Sequence, residues 1–202
     1  MKWIALLLAL LTAGCGGCAS IPPIRAEYKA AVRLDFEGGN CSGTAVGAHL
    51  ILSAAHCFRN ADTGSMRVNG VKAAYVVAAD DGRDHVLVKV TATQAVVARI
   101  GRRPKRGQEL LIIGNPLGWS NMLRVGRVSG YEVKSCLAPI EGECEAMLVD
   151  MNTAGGDSGS GYFNASGEVV GVHSGTYSYG PWKLAFGYPL AFTAEQWATA
   201  RS

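Results

Sequence analysis

The chain has 202 residues, 49% of them apolar, and a formal net charge of +3. That is enough to bury one substantial core or two small barrels. Without Lys2 the balance is 18 basic to 16 acidic residues, and the only basic cluster, Arg102, Arg103, Lys105 and Arg106, has no interleaved aromatics. This composition argues against a nucleic-acid-binding surface and for a solvated interdomain loop.

Residues 1–14 stand outside any core. Lys2 is the only charge before Arg25, and Trp3 to Leu11 form a short apolar run ahead of Thr12, Ala13, Gly14 and Cys15. That layout predicts a signal peptide, since the run falls short of the ~20 apolar residues of a membrane span. Leu11-Thr12-Ala13-Gly14-Cys15 resembles a bacterial lipobox, which implies lipidation of Cys15 and anchoring at a membrane surface. The alternative is an ordinary signal peptide cut near Ala19. Residues 15–27, with Ile21-Pro22-Pro23-Ile24, read as an extended tether.

Six cysteines suit an exported protein. Cys41 and Cys57 flank His56, and a bridge between them would close a short loop, worth about 3 kcal/mol in the chain-entropy view. Cys136 and Cys144 are close enough to staple a hairpin, and Cys18 has no assigned partner. The mature chain carries no CxxC pair with matching histidine spacing, so no zinc, other metal or cofactor is expected.

The body reads as all-β. Strand-like runs occupy Ala30 to Phe36, two stretches within Cys41 to Ser53 joined near Gly47, Val71 to Ala79, and Asp84 to Val90, where Val86, Val88 and Val90 share one face. Gly101 to Gly107 breaks the pattern and divides the chain into units at 28–106 and 107–202. Strands resume at Leu110 to Ile113, Met122 to Val128, Met147 to Met151, Glu168 to His173 and Leu184 to Pro189. Short strands with glycine turns imply barrels or sandwiches. Thr193 and Gln196 form a capping box for a short terminal helix. No internal repeat is visible.

Three motifs carry chemistry. Ser53-Ala54-Ala55-His56-Cys57 places an imidazole just after an apolar strand. Asp84 opens an alternating strand, with Asp80 and Asp81 as alternative acids and His85 expected on the opposite, exposed face. Gly155-Gly156-Asp157-Ser158-Gly159-Ser160 presents a serine among glycines that let backbone N–H groups approach a substrate. A serine hydroxyl needs such a base beside it and such donors around it to act as a nucleophile.

The stretch from Cys41 to Phe58, together with Asp84-His85-Val86-Leu87-Val88 and the Ser158 loop, closely resembles the chymotrypsin-like (trypsin-like) serine peptidases. The resemblance implies two six-stranded antiparallel Greek-key barrels with the site between them. It also implies His56 as general base steadied by a Cys41–Cys57 disulfide, Asp84 as its orienting acid and Ser158 as nucleophile. The N–H groups of Gly156 and Ser158 would bind the oxyanion. Ile112-Ile113-Gly114-Asn115-Pro116-Leu117-Gly118 resembles the HtrA-type and glutamyl-endopeptidase branches. The segment from Asn152 to Thr176 resembles the latter without a gap.

In that branch Thr153 and His173 line the pocket for an acidic side chain, which implies cleavage after Glu (or Gln). Asn152 stands where trypsin-like enzymes carry a pocket aspartate, which argues against selection of Lys or Arg. Extended substrate is expected to pair with Ser174-Gly175-Thr176. Asp157 matches the zymogen-activated branch, in which a newly cut N-terminus pairs with it. No matching activation site appears, so its partner is not identifiable from sequence, short of a cut after Arg25 or Lys29. The 44 residues after Ser158 finish a barrel and add a helix, without a PDZ-like segment. The expectation is therefore a monomeric serine endopeptidase acting on polypeptides, exported to a bacterial envelope as a lipoprotein or secreted. An esterase is one alternative, and a catalytically inactive lipid-anchored binding module on the same fold is the other.

Overall fold

The computed structural model describes residues 25–59, 64–135 and 143–202; the expected signal peptide, Cys15, Cys18 and Cys136 lie outside them. Strands β1 (Ala31–Phe36), β2 (Gly39–Gly47), β3 (Leu50–Ala54), β4 (Ser65–Val68), β5 (Val71–Asp80) and β6 (His85–Val90) close one barrel in the order β1-β2-β3-β6-β5-β4. Strands β7 (Glu109–Gly114), β8 (Met122–Ser135), β9 (Glu143–Asp150), β10 (Gly161–Phe163), β11 (Val169–Tyr179) and β12 (Trp182–Pro189) close the second, in the order β10-β11-β12-β9-β8-β7. The wiring of the two is the same, a repeat of connectivity without a trace in the sequence. Closure removes the sheet edges that would otherwise invite aggregation.

Two strands escape the sequence pattern, and each is too short to show a period. β4 is four residues and β10 three. β8 runs well beyond the expected segment, through a register shift between Val128 and Gly130. β6 departs in a more instructive way. It is buried on both faces, with Val86, Leu87 and Val88 all enclosed, so alternation does not mark its outer side.

Val32, Leu34, Ile51, Leu52, Leu87 and Val88 fill the first barrel, and Leu110, Ile112, Met147, Val149 and Tyr162 the second. Each such side chain contributes about 1.5–3 kcal/mol on burial. The terminal helix α2 follows the one-turn α1 (His56–Arg59) in chain order, spans Ala194–Arg201 and packs on β5 and β6. Its capping box is closed on both sides, by Gln196 N–H to Thr193 Oγ1 (3.1 Å) and Thr193 N–H to Gln196 Oε1 (2.8 Å).

The barrels meet along β2. Three polar side chains there and on β3, Ser42, Thr44 and Ser53, are fully buried. Buried hydroxyls need partners, and theirs lie largely across the interface. Thr44 Oγ1 accepts from Gly161 N–H at 3.1 Å. A Cys41–Cys57 disulfide ties β2 to the turn carrying His56. Cys144 is also disulfide-bonded.

Candidate active site

His56 opens α1 directly after β3. Its backbone N–H donates to Asp84 Oδ1 at 2.9 Å, and its ring Nδ1 lies 2.8 Å from Oδ2. Ala55 N–H also donates to the Asp84 carbonyl (2.9 Å). Both carboxylate oxygens are thus committed to one histidine. Asp84 is fully buried, whereas the His56 side chain is 38% exposed at the cleft. Asp84 reaches this position with φ of +66°, a left-handed conformation costing about 1–2 kcal/mol for an L-residue. Of the three candidate acids only Asp84 meets His56. Asp80 Oδ1 accepts from Gly82 N–H (2.8 Å), and Asp81 bonds His85 Nδ1 (2.7 Å).

Burial alone would push the Asp84 carboxyl up. Hydrogen bonds and charge from His56, with a contribution from Ser174, outweigh this and hold it below the usual carboxylate range. The Ser174 hydroxyl is buried outside strict hydrogen-bond geometry, yet it is close enough to favour that charge. A lowered carboxyl pKa stabilises the fold above the ordinary range and ceases to do so as pH falls through the lowered value. His85 is not exposed as expected. It is fully buried, against Tyr188 and Phe192 at ring distances of 5.9 and 6.3 Å.

Ser158 hangs over β2. Its carbonyl accepts from Ser42 N–H at 2.8 Å and lies 3.9 Å from Cys57 Sγ, which seats it beside the His56 turn. Ser42 Oγ donates to the Gly156 carbonyl (2.8 Å) and accepts from Asn115 N (3.1 Å) and Nδ2 (2.8 Å), using its full capacity. Gly159 adopts φ of +86°, and a Cβ there would stand 2.1 Å from the Ser42 carbonyl. Only glycine fits so close an approach. Among the described residues no hydrogen bond joins Ser158 Oγ to His56, a contact that commonly tightens only with substrate.

The Gly155 carbonyl accepts from Leu117 N–H at 2.7 Å. In a planar trans peptide the N–H points opposite to the carbonyl, so this bond turns the Gly156 N–H away from the Leu117 loop. Neither that N–H nor that of Ser158 has a partner among the described residues. Two unspent donors flanking one hydroxyl are what an oxyanion requires.

Asp157, between them, is fully buried, and its partner is Arg124 of β8, whose Nη2 bonds Oδ1; Ala154 N–H donates to Oδ2 at 2.8 Å. Burial raises the Asp157 carboxyl above its ordinary range, and Ala154 and Arg124 only partly counter it. Gly114 makes room for the pair: a Cβ there would stand 2.1 Å from Asp157 Oδ1. The sequence signal was an arginine placed at an inward position of β8, in step with Gly126 and Val128. A charge aimed inward demands a buried partner.

The expected specificity residues are brought together in part. Thr153 is buried and its hydroxyl bonds that of Thr176. His173 is 1% exposed, with Nδ1 2.9 Å from the hydroxyl of the fully buried Tyr162. Burial first, then the charges of Arg124 and His56, push His173 down to about 3, so the ring is neutral. Ser174 occupies a register shift between His173 and Gly175, and the Phe186 ring covers Gly175. Asn152, by contrast, faces solvent. β10 pairs with β11 only as far as Val172, which leaves that edge of Ser174 to Thr176 without a strand. No group of three or more His, Cys, Asp or Glu that could hold a metal occurs among the described residues.

The trypsin-like peptidase domain matches residues 41–172. A protein named as a periplasmic DegP-like serine endoprotease in Pseudomonas fulva is 31% identical over 126 residues, covering 60% of this chain and 26% of that one. One named as the serine protease HhoB in Synechocystis is 31% identical over 129 residues, 61% of this chain and 31% of that one. The chain thus spans between about a quarter and a third of the length of these curated relatives. Among solved structures, the active form of the Rv3671c protease from M. tuberculosis superposes with a TM-score of 0.72 at 15% identity, covering 87% of this chain and 82% of that one. A serine endoprotease from Yersinia pestis gives 0.63 at 23% identity, covering 80% and 59%. These superpositions speak for the fold.

Proposed function

Because the chain belongs to the trypsin-like peptidase family, we propose that it is a serine endopeptidase working through an acyl-enzyme, with His56, Asp84 and Ser158 as its triad. One observation carries this. Asp84 holds His56 through two hydrogen bonds, beside a serine whose flanking N–H groups are unspent. Ser158 Oγ attacks the scissile carbonyl and its proton passes to His56 Nε2. The imidazolium is stabilised by Asp84 and then returns the proton to the leaving amine. The N–H groups of Gly156 and Ser158 hold the oxyanion, each worth about 2.7–4 kcal/mol. A fluorophosphonate should label the oxidised wild type and spare Ser158→Ala. An unlabelled wild type favours the binding module instead.

In the same proposal the pocket at Thr153 and His173 takes a side chain with a hydrogen-bond acceptor, Gln ahead of Glu. A neutral imidazole can donate one hydrogen bond but cannot offset the desolvation of a carboxylate. Peptide-library cleavage at neutral pH should favour Gln. The Glu share should rise as acid protonates it, and the preference should collapse in His173→Ala. The Thr153–Thr176 bond and the Phe186 ring over Gly175 support a second reading, a shallow pocket for small or apolar residues. Equal cleavage after Ala or Leu would establish that reading and sink the first.

Export to the envelope fits the periplasmic name of the DegP-like relative, and lipidation of Cys15 would anchor the domain there. Detergent-phase partition of the processed protein should disappear in Cys15→Ser; unchanged partition would refute the anchor.

A further inference from the structure

We propose that Asp81 and His85 form a buried positioning unit for Asp84, setting the aim of its carboxylate and through it the proton affinity of His56. The inference rests on the triad reading above, but its physical basis is separate. Asp81 Oδ1 accepts from Arg83 N–H at 2.8 Å, and Asp81 Oδ2 lies 2.7 Å from His85 Nδ1. Asp81 N–H also donates to the His85 carbonyl at 3.1 Å. One side chain therefore grips the residue before Asp84 and the residue after it. Asp84 is the single residue inside this clasp, and it is the one held at positive φ.

Turn closure alone does not account for the arrangement. Asp80 already closes the turn from outside, by accepting from Gly82 N–H. The Asp81–His85 pair is enclosed, with side chains 1% and 0% exposed. Burying an acid and an imidazole is costly, and an apolar pair of similar volume often stabilises as well or better. What an apolar pair cannot do is tie the backbone of the residue before a strained position to the side chain of the residue after it.

The clasp is also braced from the second barrel. The His85 ring packs against Tyr188, in β12, and Phe192, just before α2. His85 Nε2 has no partner among the described residues. The Asp81 carboxylate can only accept, so the ring proton that meets it sits on Nδ1. Two acid–imidazole pairs thus draw on one short turn: Asp84 reaches out to His56 on α1 at the cleft, and Asp81 pairs with His85 within the turn. The rear pair touches no substrate and acts through Asp84.

The test is the acid limb of the kcat/KM profile, which follows His56 in the free enzyme. In Asp81→Ala the carboxylate of Asp84 loses its aim, so kcat should fall about tenfold to a hundredfold with KM little changed. The acid limb should move down by about one pH unit, because His56 keeps less of its counter-charge. His85→Phe, which preserves packing on Tyr188 and Phe192, should show the same shift. Asp81→Asn still accepts from Arg83 but can donate to His85 Nδ1 only if the ring proton moves to the unpartnered Nε2, so it should fall between wild type and Asp81→Ala.

Rates are to be normalised to active-site titre, so that loss of folded protein does not count. Wild-type kcat and an unmoved acid limb in both Asp81→Ala and His85→Phe would overturn the proposal, even if both melt earlier. An inactive, unlabelled wild type would instead count against the triad reading. The His56 ring titration followed by NMR still decides in that case: an unchanged His56 pKa in Asp81→Ala refutes the clasp.

Discussion

Arg124→Met is expected to lower kcat/KM by at least about a hundredfold and to destabilise the fold by about 3–5 kcal/mol, as removal of one member of a buried pair does. Asp157 lies between the two proposed oxyanion donors, and Arg124 is the cation that meets its carboxylate. Without it, a fully buried carboxylate keeps only the Ala154 N–H. Neutralisation by proton uptake then competes with movement of the loop toward water. The Asp157 carboxyl, already raised in the wild type, rises further. A raised carboxyl pKa means the variant is best folded at low pH and loses stability as pH climbs through that value. The double variant Arg124→Met/Asp157→Asn should recover most of the lost stability, because no unpaired charge remains. Stability and fluorophosphonate labelling of the three variants, compared as a cycle, check this. A single Arg124→Met variant with wild-type melting and labelling would contradict it. Since Asp157 already has its counter-charge within the chain, labelling is also expected before any cut after Arg25 or Lys29.

The parts of the site that were legible in the sequence are those recorded by close neighbours. His56 is marked by the preceding apolar strand and by Cys57, and Ser158 by glycines at positions where a side chain would collide with β2. The residues that seat them carry no local mark of which residue they meet, because their partners are remote. Ser42 meets Gly156 across 114 positions of sequence, and Arg124 meets Asp157 across 33. His85 shows a different failure. Alternation assigns one face of β6 to solvent, but β6 lies between β3 and β5 with α2 and Phe192 over its outer side. A strand covered on both sides loses its period. The barrel wiring was equally out of reach: strands of three or four residues carry no pattern, and closure depends on pairings that only the tertiary structure decides.

Asp84→Asn should leave the fold nearly intact and reduce kcat by about ten-thousandfold. The two oxygens of Asp84 have separate tasks, Oδ1 accepting from His56 backbone N–H and Oδ2 facing ring Nδ1. A carboxylate accepts at both; an amide accepts at one and donates at the other. If the amide nitrogen faces the backbone, it opposes an N–H that cannot change. The turn that carries His56 is then pushed away from Asp84. If it faces the ring, His56 must place its proton on Nε2 so that Nδ1 can accept. Nε2, now protonated, can no longer take the Ser158 proton. The second arrangement strains nothing and is therefore expected to prevail, giving an enzyme that is folded, able to bind substrate and blocked at acylation. The expected signature is a lowered kcat with nearly constant KM, together with partial recovery at high pH, where Ser158 needs less help from a base. Equal losses in kcat and thermal stability would instead indicate the first arrangement, and a variant with wild-type turnover would remove Asp84 from the triad.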